Sequence, residues 1–322
     1  MASVKPTPAD IRNVVLLSVA VTAAGFLVPA FPFVGIPLAG FALGWIAYRF
    51  GQGPSIALAL AVSALVAVFG PAAVAVDRLD ALFVAVALLA AGPFAAWALR
   101  RYSAYSVAAI GTLVVAGAFL AAPAGAQTLK ESLAMSRQIL EALAASGSVA
   151  DPVALKASLG ALLTQMTATW PATVLYTMAP GMLFAIPLVS RAGRSLGIEV
   201  NRYPELADTD LTFHLVWPAI AGLALLAAGT FWGHGEGPVY VAGLNLMMIV
   251  RPALVVQGLS VFAALYRRIG VGRVMRTIGF VLLGLTELLV PSVSVLGLVD
   301  LFLNFRKVAR AGATTKEASG AL

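Results

Sequence analysis

Arg251 stands inside an almost unbroken apolar run, NLMMIVRPALVVQGLS (Asn245–Ser260), with Pro252 directly behind it. A guanidinium is a permanent charge with five donors in a rigid fork. Its chemistry is therefore the binding of carboxylate or phosphate, not proton transfer. At the centre of a membrane helix it costs about 2.5–3.5 kcal/mol, and each neighbouring Leu, Ile, Val or Phe returns only about 0.3–0.6 kcal/mol. The side chain must face protein, water, a ligand or a lipid head group. Pro252 has no N–H for the Met248 carbonyl, which predicts a kink beside the charge. Interrupted membrane helices use such places to hold anionic groups.

Glu287 is the candidate counter-charge. Counted from Tyr266 at the near boundary, Arg251 lies about 22 Å deep, beyond the midplane, where its stem could also snorkel outward. Counted from Thr277, Glu287 lies about 15 Å deep, so the two differ by about 7 Å. Either they form a structural pair or each faces a ligand separately. Asn245 and Gln257 lie six residues to either side of Arg251, each rotated about 120° from it, so the three make no single polar stripe. Gly258 does share the arginine's face and admits a close helix. Arg251, Glu287, Gln257 and Asn245 are the candidate ligand-binding residues. Asp300 and Asn304, just before Arg306, read as a cap or a local ion pair.

Other chemistry is poorly supplied. The chain has no cysteine and two histidines, His214 and His234, which removes thiol nucleophiles, disulfides and thiolate or His-rich metal centres. There is no GxxxxGK[ST], HExxH or GxSxG motif. No catalytic set, metal or cofactor is expected, and the protein reads as a non-enzyme. The glycines of GQGP and HGEG fall in short connections and read as turns.

The elements that must position these residues are membrane helices. Of 322 residues 61% are hydrophobic and 11% charged, with mean hydropathy +0.95. Soluble domains carry roughly 25% charged residues. The net charge of +7 comes from arginines at the ends of apolar segments, with no basic stripe of interleaved aromatics, so nucleic acid is excluded as a partner. Candidate spans are 13–31, 33–48, 54–76, 81–99, 103–124, 168–190, 212–232, 238–266 and 277–304. The first reads as a retained span, without a cleavage site, and the first two form a tight hairpin around Pro29, Pro32 and Pro37. With a cytoplasmic N-terminus, every arginine-rich connection over eight spans falls inside. The run 277–304 carries Pro291 at its middle and is either a re-entrant hairpin or one long kinked helix.

Between the fifth and sixth spans, Thr128-Leu-Lys-Glu131 has the pattern of a capping box, and Leu129, Leu133, Leu140 and Leu143 follow at helical spacing. Gly147 can end that helix. Asp151-Pro152 restarts a second, with Leu155, Leu159, Leu162 and Leu163 as its apolar face. The expected fold class is all-α: a polytopic transmembrane helical bundle of about 8–10 membrane segments, with one extracytoplasmic amphipathic helical hairpin. The expected organisation is N-terminal transmembrane helices over 1–125, the hairpin over 126–166, C-terminal transmembrane helices over 167–310 and a polar tail over 311–322.

The order GLNLMMIVRPALVVQGLSVFAALYRR, a basic linker, then SVLGLVDLFLNFRK resembles the YybS-like family of bacterial membrane proteins of unsettled activity. Gln257-Gly258, Gly297, Asp300 and Phe305-Arg306 carry the resemblance, which covers roughly residues 168–310 and takes in Tyr203-Pro204 and His214 through Trp217-Pro218. That family is similar in hydropathy to the substrate-binding subunits of energy-coupling-factor transporters. The likeness implies capture of a small solute and docking on a coupling partner protein, with Ala20-x-x-x-Ala24 as a docking face. The expected function is binding or transport of a small solute in the bacterial inner membrane. The alternative is a non-catalytic assembly or regulatory partner.

Overall fold

The structure is a computed structural model that describes residues 7–73, 78–145, 152–211, 213–233, 235 and 237–306. Among these residues there is no strand. Among the described residues eight helices are long and apolar enough to cross a membrane, or nine if one bent pair is taken as a span. The chain divides into two compact units, Met1–Arg202 and Tyr203–Leu322.

In the first unit, α1 (Pro8–Leu27) opens with a capping box: Thr7 accepts from the Asp10 N–H and Asp10 accepts from the Thr7 N–H. It therefore begins before the Asn13 expected from hydropathy. α2 (Pro32–Phe50) is the central helix, with Ile36, Ala39, Ala42 and Leu43 fully buried. α3 (Gln52–Ala73) and α4 (Asp80–Leu89) flank it. A π-helical turn at Ala90–Phe94 contains Pro93 and leads into α5 (Ala95–Ala98). Such a turn absorbs the proline's missing donor without ending the span. α6 (Ala104–Ala121) follows.

The helical hairpin expected between the fifth and sixth spans differs from its sequence reading. α7 spans Pro123–Ala145, so Thr128 lies inside the helix and donates to the Ala124 carbonyl, while Glu131 accepts from Gln127. The expected capping box at Thr128–Glu131 is therefore not formed. The Asp80 carboxylate receives the Ala124 N–H at 2.7 Å instead, and Pro123 suits a first helical turn. Gly147 and Asp151 lie outside the described residues. α8 (Pro152–Ser195) runs for 44 residues, making the second hairpin arm and the sixth span one helix. Thr164, Thr167 and Thr169 each donate to the carbonyl four residues back, so a polar stretch continues the helix rather than breaking it.

Contacts within this unit gather charge at one end. Arg49, closing α2, grips Asp10 at 3.1 and 2.8 Å. Arg100 lies over the Tyr48 ring at 5.2 Å, and the Asn201 N–H donates to the Leu99 carbonyl.

The second unit begins with 3-10 turns at Leu206–Asp208 and Phe213–Leu215. α9 (Val216–Gly233) and α10 (Pro238–Arg268) follow. The last apolar run is two helices, α11 (Arg273–Leu289) and α12 (Ser292–Leu303), bent by 101° across Val290-Pro291. A single long helix over 277–304 is thus replaced by a break at the proline. Ile278, Val281, Leu282 and Leu285 are exposed along α11, the face of an element that lipid surrounds.

α12 folds back on α10 through two glycines. A Cβ on Gly258 would lie 2.0 Å from the Val293 carbonyl oxygen, and one on Gly297 would lie 2.0 Å from that of Leu254. Both neighbours are backbone and cannot rotate away. Gly258→Ala or Gly297→Ala is expected to cost at least about 1–3 kcal/mol, as overpacking does. Gly117→Ala, which meets nothing within 4 Å, is expected to be neutral or slightly stabilising. Thermal unfolding of the full chain in detergent measures both. Equal midpoints for all three variants would refute the close α10–α12 approach.

Candidate functional site

α11 begins at Arg273, not Thr277, so Glu287 sits about 21 Å along it. The depth difference from Arg251 disappears, and the Arg251 Nε meets Glu287 Oε1 at 2.9 Å. An Arg251 terminal nitrogen also donates to the Glu287 carbonyl, which the end of α11 leaves without a helical partner. Glu287 Oε2 accepts the N–H groups of Val293 and Ser294 at 2.9 and 3.1 Å, and Oε1 accepts the Ser294 hydroxyl. The carboxylate therefore caps α12, the position at which an interrupted membrane helix would otherwise receive an anion. Its side chain is 5% exposed and that of Arg251 33%. The acid is enclosed and fully used, while the arginine is held on one side only.

Gln257 faces elsewhere, as its rotation from Arg251 requires. Its Nε2 donates to Asp300 at 2.8 Å and Asp210 at 3.1 Å, and its Oε1 accepts the Leu211 N–H at 3.0 Å. Arg306 completes this cluster. It donates to Asp300 at 3.0 and 3.1 Å, to Asp210 at 3.3 Å, and to the Thr209 and Ala207 carbonyls. Arg306 is 3% exposed and Asp300 0%. Asn304 takes a left-handed conformation at the end of α12, which asparagine tolerates, and the Phe305 N–H reaches Asp300. The cluster thus ties the segment before α9 to α10 and to the end of α12. At its edge, the Arg267 guanidinium hydrogen-bonds Asp208 at 2.6 and 3.0 Å and holds that carboxyl below its usual range. Asn245 donates to the Val241 carbonyl on its own helix. Of the four candidates, the structure joins Arg251 to Glu287 and assigns Gln257 and Asn245 to other surroundings.

Neither of the two principal cavities touches these residues. The larger, about 730 Å³, lies in the first unit and is lined by Arg100, Arg194, Arg202, Glu199, Asn201 and the backbone around Gly197. Its loop is fixed from three directions. Asn201 donates its N–H to the Leu99 carbonyl at 2.8 Å and its amide to that of Tyr102 at 2.9 Å. The Ser190 hydroxyl donates to the Asn201 carbonyl, and the Ile198 N–H returns to Gly193. Tyr48 lies beside this basin, with Arg100 over its ring and Gly193 so close that a Cβ there would touch it at 3.0 Å. The Tyr48 hydroxyl is buried without a hydrogen-bond partner among the described residues. The second cavity, about 320 Å³, is an apolar groove along α3, α4 and α5.

Sequence reasoning took Arg100 and Arg194 as markers of topology, and their spacing carries no sign of a shared cavity. The nearest signal was Gly197 in a short polar stretch at a helix end, which could only be read as a turn.

If Arg251 and Glu287 act as one latch, removing either leaves the other stranded. Arg251→Ala is expected to cost about 3 kcal/mol, the low end for breaking a buried pair, because a third of the arginine is exposed. Glu287→Ala should cost about 1 kcal/mol more through the lost cap. The double variant should fall short of the sum by about 0.5–3 kcal/mol. Unfolding midpoints of the four proteins close this cycle, and strictly additive losses would show that no latch exists.

No curated protein and no solved structure matches the chain. One family model matches residues 15–301, from the first span into α12 and across both units. The chain is thereby a member of the family described as predicted membrane protein, DUF2232.

Proposed function

We propose that this multi-pass membrane protein is a binding protein, not an enzyme, and that it captures a small anion at the Arg100–Arg194–Arg202 basin. The observation that carries this reading is the excess of three guanidiniums over the single carboxylate of Glu199 in a cavity of about 730 Å³. Guanidiniums and an amide offer donors to oxyanions. They include no nucleophile paired with a base. The bonds of Asn201 hold the backbone next to Arg202 in place without a ligand, which favours recognition by reducing the ordering cost of binding.

The basin lies at the arginine-rich end of its unit. Under the positive-inside rule that end faces the cytoplasm of a bacterial inner membrane, with the N-terminus on the same side. The reading fits a capture component of a transporter, the class to which the YybS-like resemblance points. Arg251, Glu287, Gln257 and Asn245 then serve the scaffold, because an arginine already bound to a capped carboxylate has little left for a solute.

Inorganic phosphate is the probe. The unfolding midpoint of the full chain in detergent should rise with phosphate, by an amount equivalent to about 2.7 kcal/mol at a hundredfold excess over Kd. Chloride at the same ionic strength should give no rise, and Arg194→Gln/Arg202→Gln should remove it. No phosphate-specific rise in the wild type, or the same rise in the double variant, would sink the basin reading. A rise lost in Arg251→Ala but kept in the basin variant would move the site to the second unit.

A further inference from the structure

The apolar groove and the basin each draw a residue from one helix end, Trp97 for the groove and Arg100, three residues on, for the basin. Gln52, Ile56, Leu89, Pro93, Phe94 and Trp97 line the groove. Trp97 forms one wall, and the Arg101 guanidinium lies over its ring at 5.2 Å. Arg100, the preceding residue, lines the basin. Two adjacent arginines therefore serve the two cavities, Arg100 in the wall of the basin and Arg101 over a wall of the groove. Trp97 and Tyr102 pack at 6.1 Å and are exposed by 39% and 52%. Paired amphipathic aromatics of this kind mark the level of lipid head groups in membrane proteins. The π-helical turn supplies the groove's shape, since Pro93 and Phe94 belong to it.

On the basis of the basin reading, we propose that the anion is the head-group phosphate of an anionic phospholipid, with an acyl chain in the Ile56–Trp97 groove. The phosphate meets Arg100 in the wall of the basin, with Arg101 beside it over Trp97 at the head-group level. The hydrocarbon meets Ile56, Leu89, Pro93 and Phe94 below it. A free phosphate would use the basin but leave the groove without a purpose. A neutral or zwitterionic lipid would fill the groove but leave the surplus positive charge uncompensated. An anionic phospholipid satisfies both cavities with one molecule, and it is at high local concentration in the bilayer. Arginines near a membrane surface draw anionic lipids in general. The groove distinguishes this site, because it adds an apolar contact that a lone surface arginine lacks.

Native mass spectrometry of the full chain released from detergent tests the assignment, with phosphatidylglycerol and phosphatidylcholine as the two probes. The wild type should retain phosphatidylglycerol at least tenfold over phosphatidylcholine. Arg100→Gln/Arg101→Gln should cut that retention at least tenfold. Ile56→Trp fills the groove and leaves every arginine in place. It too should cut retention at least tenfold, while protection by inorganic phosphate persists. Equal retention of the two lipids, or full retention of phosphatidylglycerol in Ile56→Trp, would overturn the proposal. Protection by inorganic phosphate with no phosphatidylglycerol retained would overturn the lipid assignment and leave the basin reading standing. Loss of both responses in the wild type would overturn both.

Discussion

Hydrocarbon offers no hydrogen bonds, so a helix that breaks inside it must find partners for every group the break releases. Between α11 and α12 nearly all of that demand falls on Glu287. One carboxylate oxygen takes the first free N–H groups of α12, and the other takes the Ser294 hydroxyl and Arg251. Arg251 in turn takes the Glu287 carbonyl at the broken end of α11. Each charge makes the other tolerable, since either alone would be expensive at this depth. With α12 capped, the chain can turn back against α10 where Gly258 and Gly297 remove the side chains in its path. That return carries Asp300 to Gln257 and Arg306 to the segment before α9. The polar cluster at the end of α12 thus depends on the latch at its start.

The first unit handles charge differently. Inside its helices the contacts are apolar or small: Ile36, Ala39, Leu43, Phe83, Leu88 and Ile186 are fully buried. Its charged pairs stand at the ends of helices, as Arg49 with Asp10. Arg100 and Arg101 lie over aromatic rings, a contact that steadies a guanidinium while leaving its donors available.

Hydropathy made the spans legible because burial in lipid is a property of composition, read over about 20 residues at a time. α10 was expected over 238–266 and runs Pro238–Arg268. Pro291 announced the break because a missing donor is written in a single residue. The same reasoning ended the hairpin at 166 and began the sixth span at 168, whereas one helix runs through both and the hydroxyls of Thr164, Thr167 and Thr169 bond back to it. The partnership of Arg251 with Glu287 was legible in kind but not in distance, because a start four residues earlier closes the gap. Gln257 was legible only as a candidate ligand residue, because its partners Asp210, Leu211 and Asp300 come from segments 43 to 47 residues away. The basin could not be seen at all. Its wall is a loop held by Asn201 against Leu99 and Tyr102, about a hundred residues earlier.

The two arginine settings differ in what a ligand must overcome. An anion that took Arg251 from Glu287 would uncap α12 and strand a carboxylate in an apolar surrounding at a cost of several kcal/mol. Its apparent affinity would fall by the fraction of molecules in that open state. At the basin no such exchange is needed. Arg100, Arg194 and Arg202 are exposed, and the loop between Arg194 and Arg202 is already fixed. Arg251 first drew notice because a charge in an apolar helix needs a partner, and its partner came from its own unit. The arginines around the basin are the ones whose charge the single carboxylate of Glu199 cannot balance, so the proposed recognition of an anion is assigned to them.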